Sequence, residues 1–300
     1  MYRTLVILRH TFIESIIQPI YLLLLGLGAT MLIVFGLLPF FTLGEDTVMF
    51  KAVALDMVLL ISLIVTLFAT SKSIYDEIED RTMLTLMSKP VGRWEVLVGK
   101  YLGIIAAGLL AVLVLGTVAE IAIWYRIPSD YMLRAWTMDD REIKQIWDYR
   151  MMHLAGFVPS LLLVWLELSV LAAIGVALST RFSLVFNLPA VIIIYIAGNL
   201  TRFLSTPEST IMKPVVWIVK TVVPYLATFD LRNKTIYHAI ALRDTQFWPR
   251  PGTIQQDVVY PGQIWAYVGI AALYGIAYTI FALSAGMWLF KTRELGGAEG

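Results

Sequence analysis

Long apolar runs separated by short charged ones dominate the chain, and their lengths predict helices that cross a bilayer. A helix rising about 1.5 Å per residue needs roughly 20 mostly apolar residues to span about 30 Å of hydrocarbon. Six stretches meet that need. The first lies within Ser15–Gly44, centred on Ile20–Phe40, and the second covers Ala52–Ser71 with Asp56 near one end. Tyr101–Tyr125, Leu154–Thr180 and Phe182–Thr201 follow, and the sixth lies within Val258–Phe290. Trp124, Tyr125, Trp265, Tyr267 and Trp288 fall near span ends, where amphipathic rings suit the headgroup region. The pattern therefore predicts an all-α, polytopic membrane protein of about six transmembrane helices, forming one domain over residues 1–300.

The segments between spans have distinct characters. In residues 1–16, Leu5, Leu8, Phe12, Ile13 and Ile16 share one helical stripe while Arg3, Arg9 and Glu14 lie elsewhere. That arrangement predicts an interfacial elbow helix before Pro19 turns the chain into the first span. Residues 126–153 are polar and aromatic, with Asp139, Asp140, Arg141, Glu142, Lys144 and Trp147, and read as a small helical cap on the outer face. Residues 202–262 hold a further apolar stretch, Ile211–Phe229, interrupted by Lys213, Pro214, Lys220 and Pro224. As a full span it would bury two lysines; as a re-entrant hairpin of half-helices it keeps both near water.

Composition agrees with a bilayer. Hydrophobic residues make up 59% and charged residues 15%, against about 25% charged in a soluble domain, and mean hydropathy is +0.76. Lys and Arg number 23 against 22 Asp and Glu, so no basic field exists to attract nucleic acid. Cysteine is absent, which excludes disulfides and thiolate chemistry. His10, His153 and His238 are scattered without metal-ligand spacing. Placing both termini in the cytoplasm puts residues 1–16, 72–100, 181 and 291–300 inside. The two long outer segments count little toward the positive-inside rule, and among short connections only Lys51 opposes the arrangement.

Residues 72–100 are the most informative. Asp76, Glu77, Glu79 and Asp80 lead into a short helix over Arg81–Ser88, which Pro90 ends by forcing Lys89 out of helical geometry. Met83, Leu84, Leu86 and Met87 form an apolar ridge on it. Such a ridge suits either a pocket on a partner protein or a headgroup surface. Gly92 and Gly99-Lys100 do not make a phosphate loop, since the glycine spacing is wrong and Tyr101 stands where Ser or Thr is required. Glu167 is the one acid deep within a span, where a charge is costly. It is either a polar contact on a transport path or a neutral or paired carboxyl joining helices, with Asn187 or Asn199 as partner.

The run Glu77-x-Glu79-x-Arg81-Thr82, then Leu86, Lys89-Pro90-Val91-x-Arg93 and Gly99-Lys100-x-x-Gly103, resembles the cytoplasmic signature of ABC-2 type permeases. Thr11-Phe-Ile-Glu14-Ser and Gln18-Pro19 are similar to the elbow of that family, and Phe290-Lys-Thr-Arg-Glu294 to its exit. The resemblance implies a permease of an ATP-driven transporter, an exporter, that pairs with a separate ABC ATPase subunit and with a second permease copy in a homodimer or heterodimer. It implies multi-pass residence in the plasma membrane, the inner membrane if the cell is Gram-negative, in contact with membrane lipid. Glu77, Glu79, Arg81, Thr82, Met83, Leu84, Leu86, Met87, Lys89, Pro90 and Arg93 would form the ATPase-coupling segment, with Arg181 on a second, shorter contact. ATP and Mg would reside on the partner, and this chain would hold no cofactor and catalyse no reaction. The rival readings are a membrane-embedded enzyme or an ATP-independent carrier using Glu167 and the outer insert.

Topology can be tested directly in this cysteine-free chain. Cysteines at Lys213 or Lys220 should react with an impermeant thiol reagent added outside intact cells. Labelling of Glu294→Cys from outside would instead establish a seventh span.

Overall fold

A computed structural model of the chain describes residues 2–38, 46–79, 92–131, 140–201, 223–231 and 261–291. Its elements are helices. They are α1 (Tyr2–Ile17), α2 (Pro19–Leu37), α3 (Asp46–Thr70), α4 (Arg93–Tyr131), α5 (Asp140–Ser179), α6 (Leu184–Leu200) and α7 (Pro261–Lys291). Among the described residues, five helices are long and apolar enough to cross a membrane, and α6 is a shorter apolar helix. At about 1.5 Å per residue its 17 residues reach about 26 Å, the lower limit for a crossing. The protein is thus an all-α polytopic membrane protein, with boundaries close to those the apolar runs predict.

Pro19 opens α2 at the first helical position, where its missing N–H costs nothing and its fixed φ suits a helix start. The elbow, α1, accordingly stops at Ile17 and lies against α4. At the start of α4, the Gly92 N–H donates to Glu95 Oε2 at 3.0 Å, half of a capping box. The glycines that superficially resemble a phosphate loop are therefore a helix cap and a packing surface. A Cβ on Gly103 would stand 2.7 Å from the Leu8 carbonyl oxygen, and one on Gly99 would stand 2.9 Å from Ile7. Only glycine lets α1 approach this closely.

The small residues of the last span do the same work against α5. Ala271 and Ala282 are buried, and a Cβ on Gly286 would meet Ala177 Cα at 2.8 Å. Both small-residue stripes thus pack within the chain. One apolar cluster fills most of the bundle, around Leu32, Phe50, Leu63, Leu115 and Leu168. A second sits at one end, around Ile74, Val96, Ile104, Val176 and Phe290.

Two segments differ from expectation. The described parts of 126–153 continue α4 to Tyr131 and begin α5 at Asp140, rather than making a separate cap. Trp124 and Trp147 meet edge-to-face at 5.0 Å, and Arg150 lies 4.8 Å over the Trp124 ring, so the two extensions pair. The second difference is at the end of α3, which runs past the predicted Ser71 through a π-helical stretch, Ser71–Asp76, into Glu77–Glu79. The proposed half-helices around Lys213 and Lys220 lie outside the described residues. The described piece, Leu226–Phe229, is a 3-10 turn with Leu226 seated on Gly198 and Phe229 beside Gly275. Leu226, Phe229 and Leu231 anchor this irregular backbone in the protein, while Tyr225 is exposed.

These contacts predict opposite responses at two glycines. Gly103→Ala should lower stability in detergent by about 1–3 kcal/mol, because the backbone carbonyl it meets cannot move aside. Gly269→Ala, with no atom within 4 Å, should be neutral or slightly stabilising by thermal unfolding.

Candidate functional site

The end of the bundle that carries the second apolar cluster gathers most of the described coupling candidates. Lys100, on the first turns of α4, is almost fully buried at 3% exposure. Its ammonium donates to the Ser73 carbonyl, to Ser73 Oγ at 3.1 Å, and pairs with Glu77 Oε2 at 2.6 Å. Ser73 lies in the π-helical stretch and Glu77 just past it. Four residues apart, they fall on one face of the helix and both reach Lys100. A lysine ammonium has three donors and is destabilised by leaving water; the partners it meets here satisfy them. The Glu14 carboxylate of the elbow adds a further attraction.

Neighbouring contacts bind the remaining helices to the same end. Asn187, fully buried on α6, donates to Ser179 Oγ at 2.7 Å, Gly175 O at 3.2 Å and Ser71 Oγ at 3.3 Å. It thereby joins α6, α5 and the π-helical stretch. Arg93 caps α7, donating to Phe290 O at 3.5 Å with its guanidinium 5.6 Å above the Phe290 ring. Arg181 is exposed in the turn between α5 and α6, where Phe182 N donates to Leu178 O at 2.9 Å. Glu79 is exposed at the end of the α3 continuation. So Glu77, Glu79, Arg93 and Arg181 share one end of the molecule. Arg81, Thr82, Met83, Leu84, Leu86, Met87, Lys89 and Pro90 lie outside the described residues.

Glu167 lies elsewhere, buried midway along α5. It lines a cavity of about 20 Å³ with Ser160, Tyr195, Asn199 and Asp230, beside Leu55 and Leu59 of α3. That volume holds about one water molecule. Of its two expected partners, Asn199 shares the cavity, whereas Asn187 is committed to the serine cluster. Among the described residues no three His, Asp or Glu side chains gather as metal ligands.

Three structural anchors escape a reading of the sequence. Arg126 donates to the carbonyls of Phe35, Gly36 and Leu38 at 2.9–3.3 Å, capping the C-terminus of α2. Buried Lys51 donates to His153 Nδ1, which joins α3 to α5. Lys51 therefore carries little topological signal, since it is committed inside the protein. Lys100 is the third. A sequence signal existed for it alone, its place between two glycines four residues apart at the head of an apolar run.

The family model of the ABC-2 family transporter protein matches residues 33–295. Comparison with curated proteins finds no match.

The Lys100 contacts predict strong coupling. Lys100→Met alone should destabilise the fold by about 3 kcal/mol or more, by leaving buried acceptors without their donor. Adding Glu77→Gln should recover part of that loss, and a double-mutant cycle on thermal unfolding measures the coupling.

Proposed function

Because the chain belongs to the ABC-2 transporter family and is thus a membrane permease subunit of an ABC transporter, we propose that it couples to a separate ATPase and exports its substrate. On this reading, residues 81–88 form a coupling helix seated in that ATPase, with Glu79 and Arg181 on its border. ATP and Mg bind the partner chain. Two permease copies enclose the path, and both termini face the cytoplasm of a plasma-membrane protein.

The observation that supports this most is the buried contact of Lys100 with Ser73 and Glu77. The segment entering the coupling helix is thereby held rigidly to α4, and α4 is held to the elbow through Gly99 and Gly103. A push on residues 81–88 would move three elements together instead of bending a loop. Packed interfaces of this kind adopt discrete arrangements, which is what alternating access requires. Glu167 supports a role in helix joining more than one as a carrier, since its cavity has room for a water but not for a substrate.

The reading is tested by Leu86→Ala with Met87→Ala in the assembled transporter. Truncating an interface anchor commonly costs about 2 kcal/mol or more, so association with the ATPase should weaken at least tenfold, or hydrolysis should run without transport. Membrane insertion should be normal, because the ridge residues lie between spans. A double variant that inserts at normal level, binds the ATPase and keeps full ATP-dependent transport would refute the coupling assignment.

A further inference from the structure

A cleft of about 440 Å³ opens where the elbow meets the first span, lined by His10, Ile13, Glu14, Ile17, Gln18, Pro19 and Lys72. Its size is within the range of small-molecule sites, about 300–1,000 Å³. Two polar atoms in it are buried and lack a hydrogen-bond partner among the described residues. One is a donor, the amide nitrogen of Gln18, a residue only 6% exposed. The other is an acceptor, Oε2 of Glu14, which stands 3.9 Å from His10 Nδ1, beyond hydrogen-bond distance. Buried polar groups in native proteins are nearly always satisfied, so each of these points to something absent from the protein itself.

The charges around the cleft describe that missing group. Gln18 precedes Pro19 at the N-terminus of α2 and makes no side-chain cap, which leaves its amide for the cleft. Lys72, exposed in the π-helical stretch that continues α3, supplies a cation. An amide donor and an ammonium together suit a phosphate. The Glu14 oxygen, close by and without a hydrogen bond, suits a cationic donor. A ligand that presents a phosphate and an ammonium a few bonds apart would serve both.

Position supplies the rest. The cleft sits at the level where α2 enters its apolar run, and Ile13 and Ile17 on its rim are exposed. Along the span beyond, Leu22, Leu23 and Leu27 are also exposed and continue the apolar track. We propose that the Gln18–Lys72–Glu14 cleft binds the phosphoethanolamine headgroup of a glycerophospholipid, with its acyl chains along the open face of α2. The bound lipid would fill the corner between α1, α2 and α3 and so hold the elbow in place.

The test uses the full chain, delipidated in detergent and titrated with phosphatidylethanolamine, phosphatidylcholine and phosphatidylglycerol. Bound lipid is read by native mass spectrometry and by thermal shift. Phosphatidylethanolamine should be retained preferentially, because phosphatidylcholine lacks an N–H donor for Glu14 and phosphatidylglycerol lacks a cation. Gln18→Leu and Lys72→Gln should each weaken it about tenfold, while Leu273→Ala on the exposed face of α7 should not. Lys72 is exposed, so its variant keeps the test decisive if Gln18→Leu fails to fold. Equal retention of the three lipids, or undiminished binding by Lys72→Gln, would overturn the proposal. Inorganic phosphate or soluble phosphoethanolamine binding as tightly as the lipid would overturn it too, by assigning the cleft to a soluble ligand.

Discussion

A lysine ammonium withdrawn from water at the head of α4 sets the arrangement of one whole end of this protein. Burying an unpaired ammonium costs several kcal/mol, and that cost falls only when its donors are occupied with good geometry. Lys100 therefore requires Ser73 and Glu77 to stand where they do. Ser73 lies within the π-helical stretch that continues α3, and Glu77 just past it. Such irregular turns are frequent at functional sites.

The neighbours of Lys100 make the same constraint tighter. Gly99 and Gly103 bring α1 against α4 at distances that any Cβ would forbid. Between lipid-facing helices no hydrophobic force favours association over lipid, so close backbone packing and polar contacts supply it. At this end both are present at once: glycine contacts to the elbow, the Asn187–Ser179–Ser71 cluster to α6 and α5, and the Arg93 cap on α7. At the opposite end Arg126 and the Lys51–His153 pair act likewise, closing α2, α3 and α5 around the apolar core. Polar groups fasten the two ends, and apolar packing fills the length between them.

Such a distribution suits a machine that moves as rigid pieces. The exposed charges Glu79 and Arg181 lie at the fastened end, while Glu167, within the apolar part of α5, borders a space the size of a water molecule. Force applied at the fastened end would be passed on by helices that cannot slip past one another locally. The exposed apolar faces of α2 and α7, with Leu22, Leu23, Ile270 and Leu273, are left for lipid or a second copy.

The sequence by itself determined the class, the helices and the family. Hydrophobic length is a one-dimensional property, so the first, third and last spans were legible from apolar runs, though the helix of the third span starts at Arg93 rather than Tyr101. The elbow was legible from its stripe, which ends at Ile16 before Pro19. The run from Glu77 to Gly103 carried the family resemblance that the match over residues 33–295 supports. What only the tertiary structure decided was the partner of each polar residue. Glu77 and Lys100 read as loop charges, yet they pair across 23 positions, with the lysine buried and the carboxylate half-buried. Arg126 and Lys51 read as boundary charges, yet one caps a helix some 90 residues earlier and the other meets His153. Charge and hydropathy are written residue by residue, but the cost of burying a charge depends on what stands opposite it, and that is fixed only when the helices come together.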